Sequence, residues 1–115
     1  MKIIYVCSPL RGDMNRNISR ARSYCSYVKD QNCVPVAPHL LFTQFMNDND
    51  PSDRNLAFKM NEELLHKCDE LWVFSGYGIS DGMKIEIDIA ERDNIPIKYF
   101  DDITLSCYGH SFVSY

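Results

Sequence analysis

A few residues in this chain have types and spacings that could do chemistry. Glu86 stands in the segment Ser80-x-Gly82-x-x-x-Glu86-x-x-x-Ala90, opened by a hydroxyl and a glycine. Arg11 is followed by Gly12, and His39 follows Pro38. A guanidinium is a bidentate donor suited to a phosphate. A serine and backbone amides at the start of a helix can bind a phosphate or sugar oxygen, and glycine there lets a backbone come close. Each residue also has a plain structural reading. Ser80 caps a helix, Arg11 pairs with Asp13 at the surface, His39 is a loop residue, and Glu86 sits on a solvated helix face.

Which reading holds for Glu86 depends on residues 80 to 90, SDGMKIEIDIA. Ile85, Ile87 and Ile89 alternate with Glu86 and Asp88, the period of a half-buried strand. Met83, Ile87 and Ala90 fall instead at i, i+4 and i+7, a helix face. The neighbouring elements decide between them. Ile3 to Cys7 is a continuous apolar run, as in a strand buried on both faces. Ser8 to Asp13 is a loop. From Asn17 the spacing turns helical, with Ile18, Ala21, Cys25 and Val28 on one face, and Asn32 stops it. Cys33 to Ala37 is a short strand in which Pro35 favours an outer position.

Pro38-His39 opens a segment that ends in the polar loop Asn47 to Asp50. Asp50-Pro51 has the form of an N-cap followed by proline at the first helical position, with Asp53 near the positive helix end. Ala57, Met60, Leu64 and Cys68 continue that helix. Leu71 to Phe74 and Ile95 to Phe100 are further strands. Strands alternating with helices imply βαβ units. A parallel pair needs a crossover of about a dozen residues, which residues 80 to 93 supply. They are therefore expected to be a helix capped by Ser80 or Asp81. The expected fold is α/β, a doubly wound, flavodoxin-like and mostly parallel sheet of four to five strands. Its expected order is 2-1-3-4(-5), with helices on both faces. The last fifteen residues show no clear pattern.

Composition narrows the function classes. At 115 residues one domain spanning 1–115 is expected. The net charge of −4 argues against a nucleic-acid polymer as partner, since that would show a basic stripe. The N-terminal apolar run is too short for a membrane span or signal segment. The five cysteines lack CxxC or zinc spacing, so a reducing cytoplasm is expected and no metal or organic cofactor is implied.

Three pieces, in this order and spacing, resemble the nucleoside 2-deoxyribosyltransferase superfamily. They are Tyr5-Val6-Cys7-Ser8-Pro9-Leu10-Arg11-Gly12, then Pro38-His39, then Cys68-Asp69-Glu70-Leu71-Trp72-Val73-Phe74 followed by Ser80-x-Gly82-x-x-x-Glu86-x-x-x-Ala90. Within it the chain is most similar to the deoxynucleoside monophosphate N-glycosidases and to small uncharacterised bacterial and phage members.

The resemblance implies that Glu86 is a nucleophile that attacks C1′ and expels the base, leaving a glycosyl ester. Water or another base then completes hydrolysis or transfer. An oxocarbenium-like centre suits a nearby carboxylate, and two covalent steps replace one hard displacement. Arg11, Gly12 and Ser8 would contact a 5′-phosphate or sugar, together with Ser80 and Gly82, and His39 would meet the base. Tyr5 either lines the pocket or is core.

The chain departs from the family where many members carry an aspartate that assists proton delivery to the leaving base. The matching position is Asn61, which can hydrogen-bond a base but cannot act as an acid. Glu62 points about 100° away on a helix, and Asp53 and Asp81 are candidate substitutes. The resemblance also implies a homodimer or larger homo-oligomer completed near the C-terminus, where Ser111 or His110 could serve. The alternative to an N-glycosidase or deoxyribosyltransferase is a module that binds, sequesters or senses a nucleotide or nucleoside without cleaving it. A phospho-receiver domain would need an acidic cluster after the first strand, where Cys7-Ser8-Pro9 stands.

Overall fold

A computed structural model of the chain describes residues 1–101. In chain order its elements are β1 (Ile3–Cys7), α1 (Met14–Asp30), β2 (Val34–Val36), α2 (Pro38–Leu41) and a 3-10 turn (Phe42–Gln44). They continue with α3 (Pro51–His66), β3 (Glu70–Phe74), α4 (Asp81–Arg92) and β4 (Ile97–Phe100). The four strands form one parallel sheet in the order β2-β1-β3-β4, a doubly wound, flavodoxin-like arrangement.

The sequence dictates most of this locally. β1 and β3 are central strands, and their apolar runs are buried on both faces apart from Ile3 at the start of β1. β2 is an edge strand, which suits Pro35 because its absent N–H takes nothing from an inner ladder. Segment 81–92 is a helix. Ile87 is buried at 8% exposure while Ile85 is 43% exposed, a difference that a strand with both residues on one face would not produce. Ser80 caps this helix by accepting from the Met83 N–H at 3.3 Å. Asp50 caps α3 by accepting from Ser52 N–H, with Pro51 at the first position. α1 starts at Met14 rather than Asn17, because Asp13 serves as its cap and accepts from Arg16 N–H.

Two apolar layers sandwich the sheet. On one face Tyr24 and Val28 of α1 pack on Ile4, Val6, Trp72 and Phe74, and Tyr24 stacks on Phe74 at 4.3 Å. On the other face Leu65 of α3 and Met83, Ile87 and Ala90 of α4 pack on Tyr5, Cys7, Leu71 and Val73. Fully burying one such aliphatic side chain contributes about 1.5–3 kcal/mol. At the end of the sheet where β1 begins, Glu70 is buried yet well satisfied. Its carboxylate accepts from the Trp72 Nε1–H at 2.9 Å and from Lys2 Nζ at 2.5 Å. Asp69, in the turn before β3, accepts from the Ile3 N–H at 2.7 Å.

Candidate functional site

β1 connects outward to β2, and β3 lies on its other side. The chain therefore leaves the carboxyl ends of β1 and β3 in opposite directions, and open α/β sheets bind ligands in that crevice. A cleft of about 320 Å³ lies there. Tyr5, Ser8, Arg11, His39, Asn61, Ser80, Gly82 and Glu86 all line it. Residues up to 81 positions apart are thus brought to one place. Gly12 is not on the wall. Its φ of +98° is a left-handed conformation that favours glycine and turns the chain just after Arg11. Ser111 and His110 lie outside the described residues.

At the inner end the Tyr5 hydroxyl donates to Glu86 Oε2. Tyr5 is therefore both core and wall, since the residue is 1% exposed and packs in the core layer while it also lines the cleft. Glu86 is not on a solvated face. Burial pushes its carboxyl up to about 7, against the hydrogen bonds from Tyr5 and the Cys7 thiol, which hold it down. Burial, and next the Glu86 charge, raise the Tyr5 hydroxyl and the Cys7 thiol well above their ordinary values. Near neutral pH the carboxyl is therefore divided between its neutral and charged forms, and in the charged form it keeps the two neighbouring donors protonated.

A second pair lies across the cleft, where Ser8 Oγ and His39 Nε2 are 3.0 Å apart. Burial lowers the His39 imidazole to about 4, so the ring is neutral at pH 7 and offers one donor and one acceptor. α2 begins at Pro38 and brings His39 there within its single turn.

Arg11 pairs with Asp48, Nε to Oδ2 at 3.0 Å. The plain structural alternative, a pair with Asp13, does not form, because Asp13 caps α1 and pairs with Arg16 at 3.7 Å. The loop that carries Arg11 is pinned from behind. Asn17, 6% exposed, donates its Nδ2–H groups to the Leu10 and Arg11 carbonyls at 3.0 Å each.

Gly82 opens its part of the wall, since a Cβ there would meet no atom within 4 Å. Protein packing does not demand the missing side chain, and the space belongs to the cleft. Asn61 reaches the cleft from α3, with its Oδ1 buried and unpartnered. Glu62 turns away to Arg92 at 3.7 Å. Asp53 and Asp81 line the same cleft, Asp53 accepting from Asn47 N–H at 2.8 Å.

Several wall residues escaped the sequence reading, namely Asp48, Arg54, Phe42, Met46 and Phe58. A signal existed on α3. Arg54, Phe58, Asn61 and Leu65 fall at i, i+4, i+7 and i+11, one stripe whose last member is buried in the core and whose earlier members line the cleft. Among the described residues no group of three or more His, Cys, Asp or Glu side chains could hold a metal ion. No described helix is long and apolar enough to cross a membrane.

Residues 2–100 match the family described as Domain of unknown function (DUF7768). The chain belongs to that family. No curated protein matches this DUF7768 chain. Among solved structures it is similar to a 2-deoxyribosyltransferase from the psychrotolerant bacterium Bacillus psychrosaccharolyticus, with a TM-score of 0.68. The identity is 19%, over 87% of this chain and 72% of that one. At that identity the likeness shows a shared fold, and it is the fold of the superfamily that the three sequence pieces resemble.

Proposed function

We propose that this protein cleaves or transfers at the N-glycosidic bond of a nucleoside or nucleotide, with Glu86 as the nucleophile. The observation that carries the reading is the Glu86 carboxylate at the inner end of the switch-point cleft, held there by the Tyr5 hydroxyl. In the first step a Glu86 oxygen bonds to C1′ while the C1′–N bond breaks, and its electron pair leaves with the base. In the second step water, or the nitrogen of another base, attacks C1′ and frees Glu86. The Tyr5 hydrogen bond fixes the carboxylate orientation, which supports attack at one carbon. A likeness in fold to a 2-deoxyribosyltransferase supports a sugar-to-base bond as the reacting one.

The other roles in this reading are assigned by position. Ser80 and the backbone at Gly82 hold sugar or phosphate oxygens, and Arg11 exchanges Asp48 for a phosphate when the ligand carries one. Ser8 and His39 present a neutral hydrogen-bonding pair. The chain acts as one domain and as a homo-oligomer in this proposal.

Asn61 favours a second reading, binding without cleavage, because an amide cannot protonate the departing base. A missing general acid lowers a rate by about 10²- to 10⁴-fold. One experiment separates the two. Ribo- and deoxyribonucleosides, with and without 5′-phosphate, are incubated with the protein, and free base is followed by chromatography beside Glu86→Gln. Base release that disappears in the variant supports the enzyme. Intact ligand that raises the melting temperature, with no release, supports the binding module.

A further inference from the structure

Among the described residues, Asn61 Oδ1 is the buried side-chain polar atom for which the protein supplies no hydrogen-bond partner. Leaving a buried acceptor unpaired costs stability, and a leucine of similar shape would avoid that cost. Several polar groups elsewhere in this wall are paired within the protein, as Ser8 is with His39 and Arg11 with Asp48, while the Arg54 guanidinium, which is not buried, lies 5.8 Å from the Phe58 ring centre. The Asn61 amide is therefore the part of the cleft that lacks its complement. Its two ends place an acceptor and a donor side by side in one plane. Turning the amide over exchanges the two atoms without removing either. Phe42, Met46 and Phe58 give the same cleft an apolar surface suited to a flat ring.

We propose that Asn61 is a specificity-determining residue that reads the base. The group it takes is a heterocycle carrying an N–H donor beside a ring acceptor, as aminopurines and aminopyrimidines do. Such an edge and a side-chain carboxamide form two parallel hydrogen bonds, satisfying the buried acceptor only when ligand is present. A base of the same size without the amino group leaves that acceptor unpaired in the complex. This inference rests on the functional reading in placing a base in the cleft, but it does not require that the base be released.

The test uses the full chain carrying Glu86→Gln, so that binding is measured without turnover. Two matched pairs are compared by calorimetry, each with and without 5′-phosphate. One is 2′-deoxyadenosine against purine 2′-deoxyriboside, and the other is 2′-deoxycytidine against its 4-deamino analogue. The amino member of one pair should bind about tenfold tighter or more. Adding Asn61→Leu should bring that ratio close to one and raise the melting temperature of the free protein, because the orphaned acceptor is gone. A ratio that survives Asn61→Leu, or pairs that never differ, overturns the assignment while leaving the functional reading intact. Failure of all the probes to bind overturns both.

Discussion

Replacing Glu86 with glutamine should stabilise the free protein at alkaline pH and change nothing at acid pH. Burial raises the Glu86 carboxyl from its ordinary 4.5 to about 7. Below pH 4.5 the group is neutral in both folded and unfolded chains, so it costs nothing. As pH rises from 4.5 to 7 the unfolded chain releases its proton and the folded one resists, so stability is lost over that window. At about 1.4 kcal/mol per pH unit the loss above pH 7 is up to about 3 kcal/mol.

His39 has the opposite slope, because burial lowers it from 6.5 to about 4. Its contribution is present above pH 6.5 and is lost as pH falls toward 4. Between pH 4.5 and 6.5 the two trends offset each other, so the wild-type curve should be nearly flat there. Glu86→Gln removes one slope and exposes the other. The assay is urea unfolding followed by circular dichroism at pH 4.5, 6 and 8. With a urea dependence of about 1–3 kcal/mol/M, the variant's midpoint should rise by about 1–3 M at pH 8 and by nothing at pH 4.5. A gain equal at both pH values, or a loss at pH 8, would refute the argument that burial dominates this carboxyl.

Tyr5→Phe removes a hydrogen bond to a charged group, worth about 1.5–3 kcal/mol. If base release is observed, its kcat/KM should fall about 10- to 100-fold, and the rising limb of the pH–rate profile should move to higher pH. Ser80→Ala removes the α4 cap and should cost about 1 kcal/mol in urea unfolding. Leu65→Ala empties a fully buried position between α3 and the sheet, with an expected loss of about 2–5 kcal/mol by the same measurement. Asp48→Asn breaks a pair whose arginine is half exposed, so unfolding stability should change by less than about 1 kcal/mol.

The strands and helices were legible because each rests on local rules. Pro51 after Asp50 announces a helix start, and the length from Ser80 to Asp93 requires a crossover whatever the alternation of Ile85, Ile87 and Ile89 suggests. Membership of the cleft was legible where a short motif carried it, at Ser8, Arg11, His39, Ser80, Gly82 and Glu86. What could not be read were pairings set by loop geometry. Arg11 lies two residues from Asp13 and 37 from Asp48, and sequence distance favours the first. Asp13 is drawn off by the α1 N-terminus and Arg16, which leaves Arg11 free to reach across. For Tyr5 the sequence leaves two alternatives, wall or core, that exclude each other only for a short side chain. Tyrosine spans both, with its ring in one layer and its hydroxyl in the next.

The sheet also divides the molecule optically. Trp72 is the single tryptophan in the chain, and it lies in the layer under α1, on the face away from Tyr5, Glu86 and Asn61. There its indole N–H is held by Glu70, its ring lies beside Phe100, and Lys98 Nζ sits 5.5 Å from the ring centre. Its emission is thus an internal standard for the integrity of the sheet, screened from whatever enters the cleft by a whole layer of β1 and β3 backbone. A ligand confined to the crevice makes no direct contact with the indole, so contact quenching of Trp72 by such a ligand is not expected.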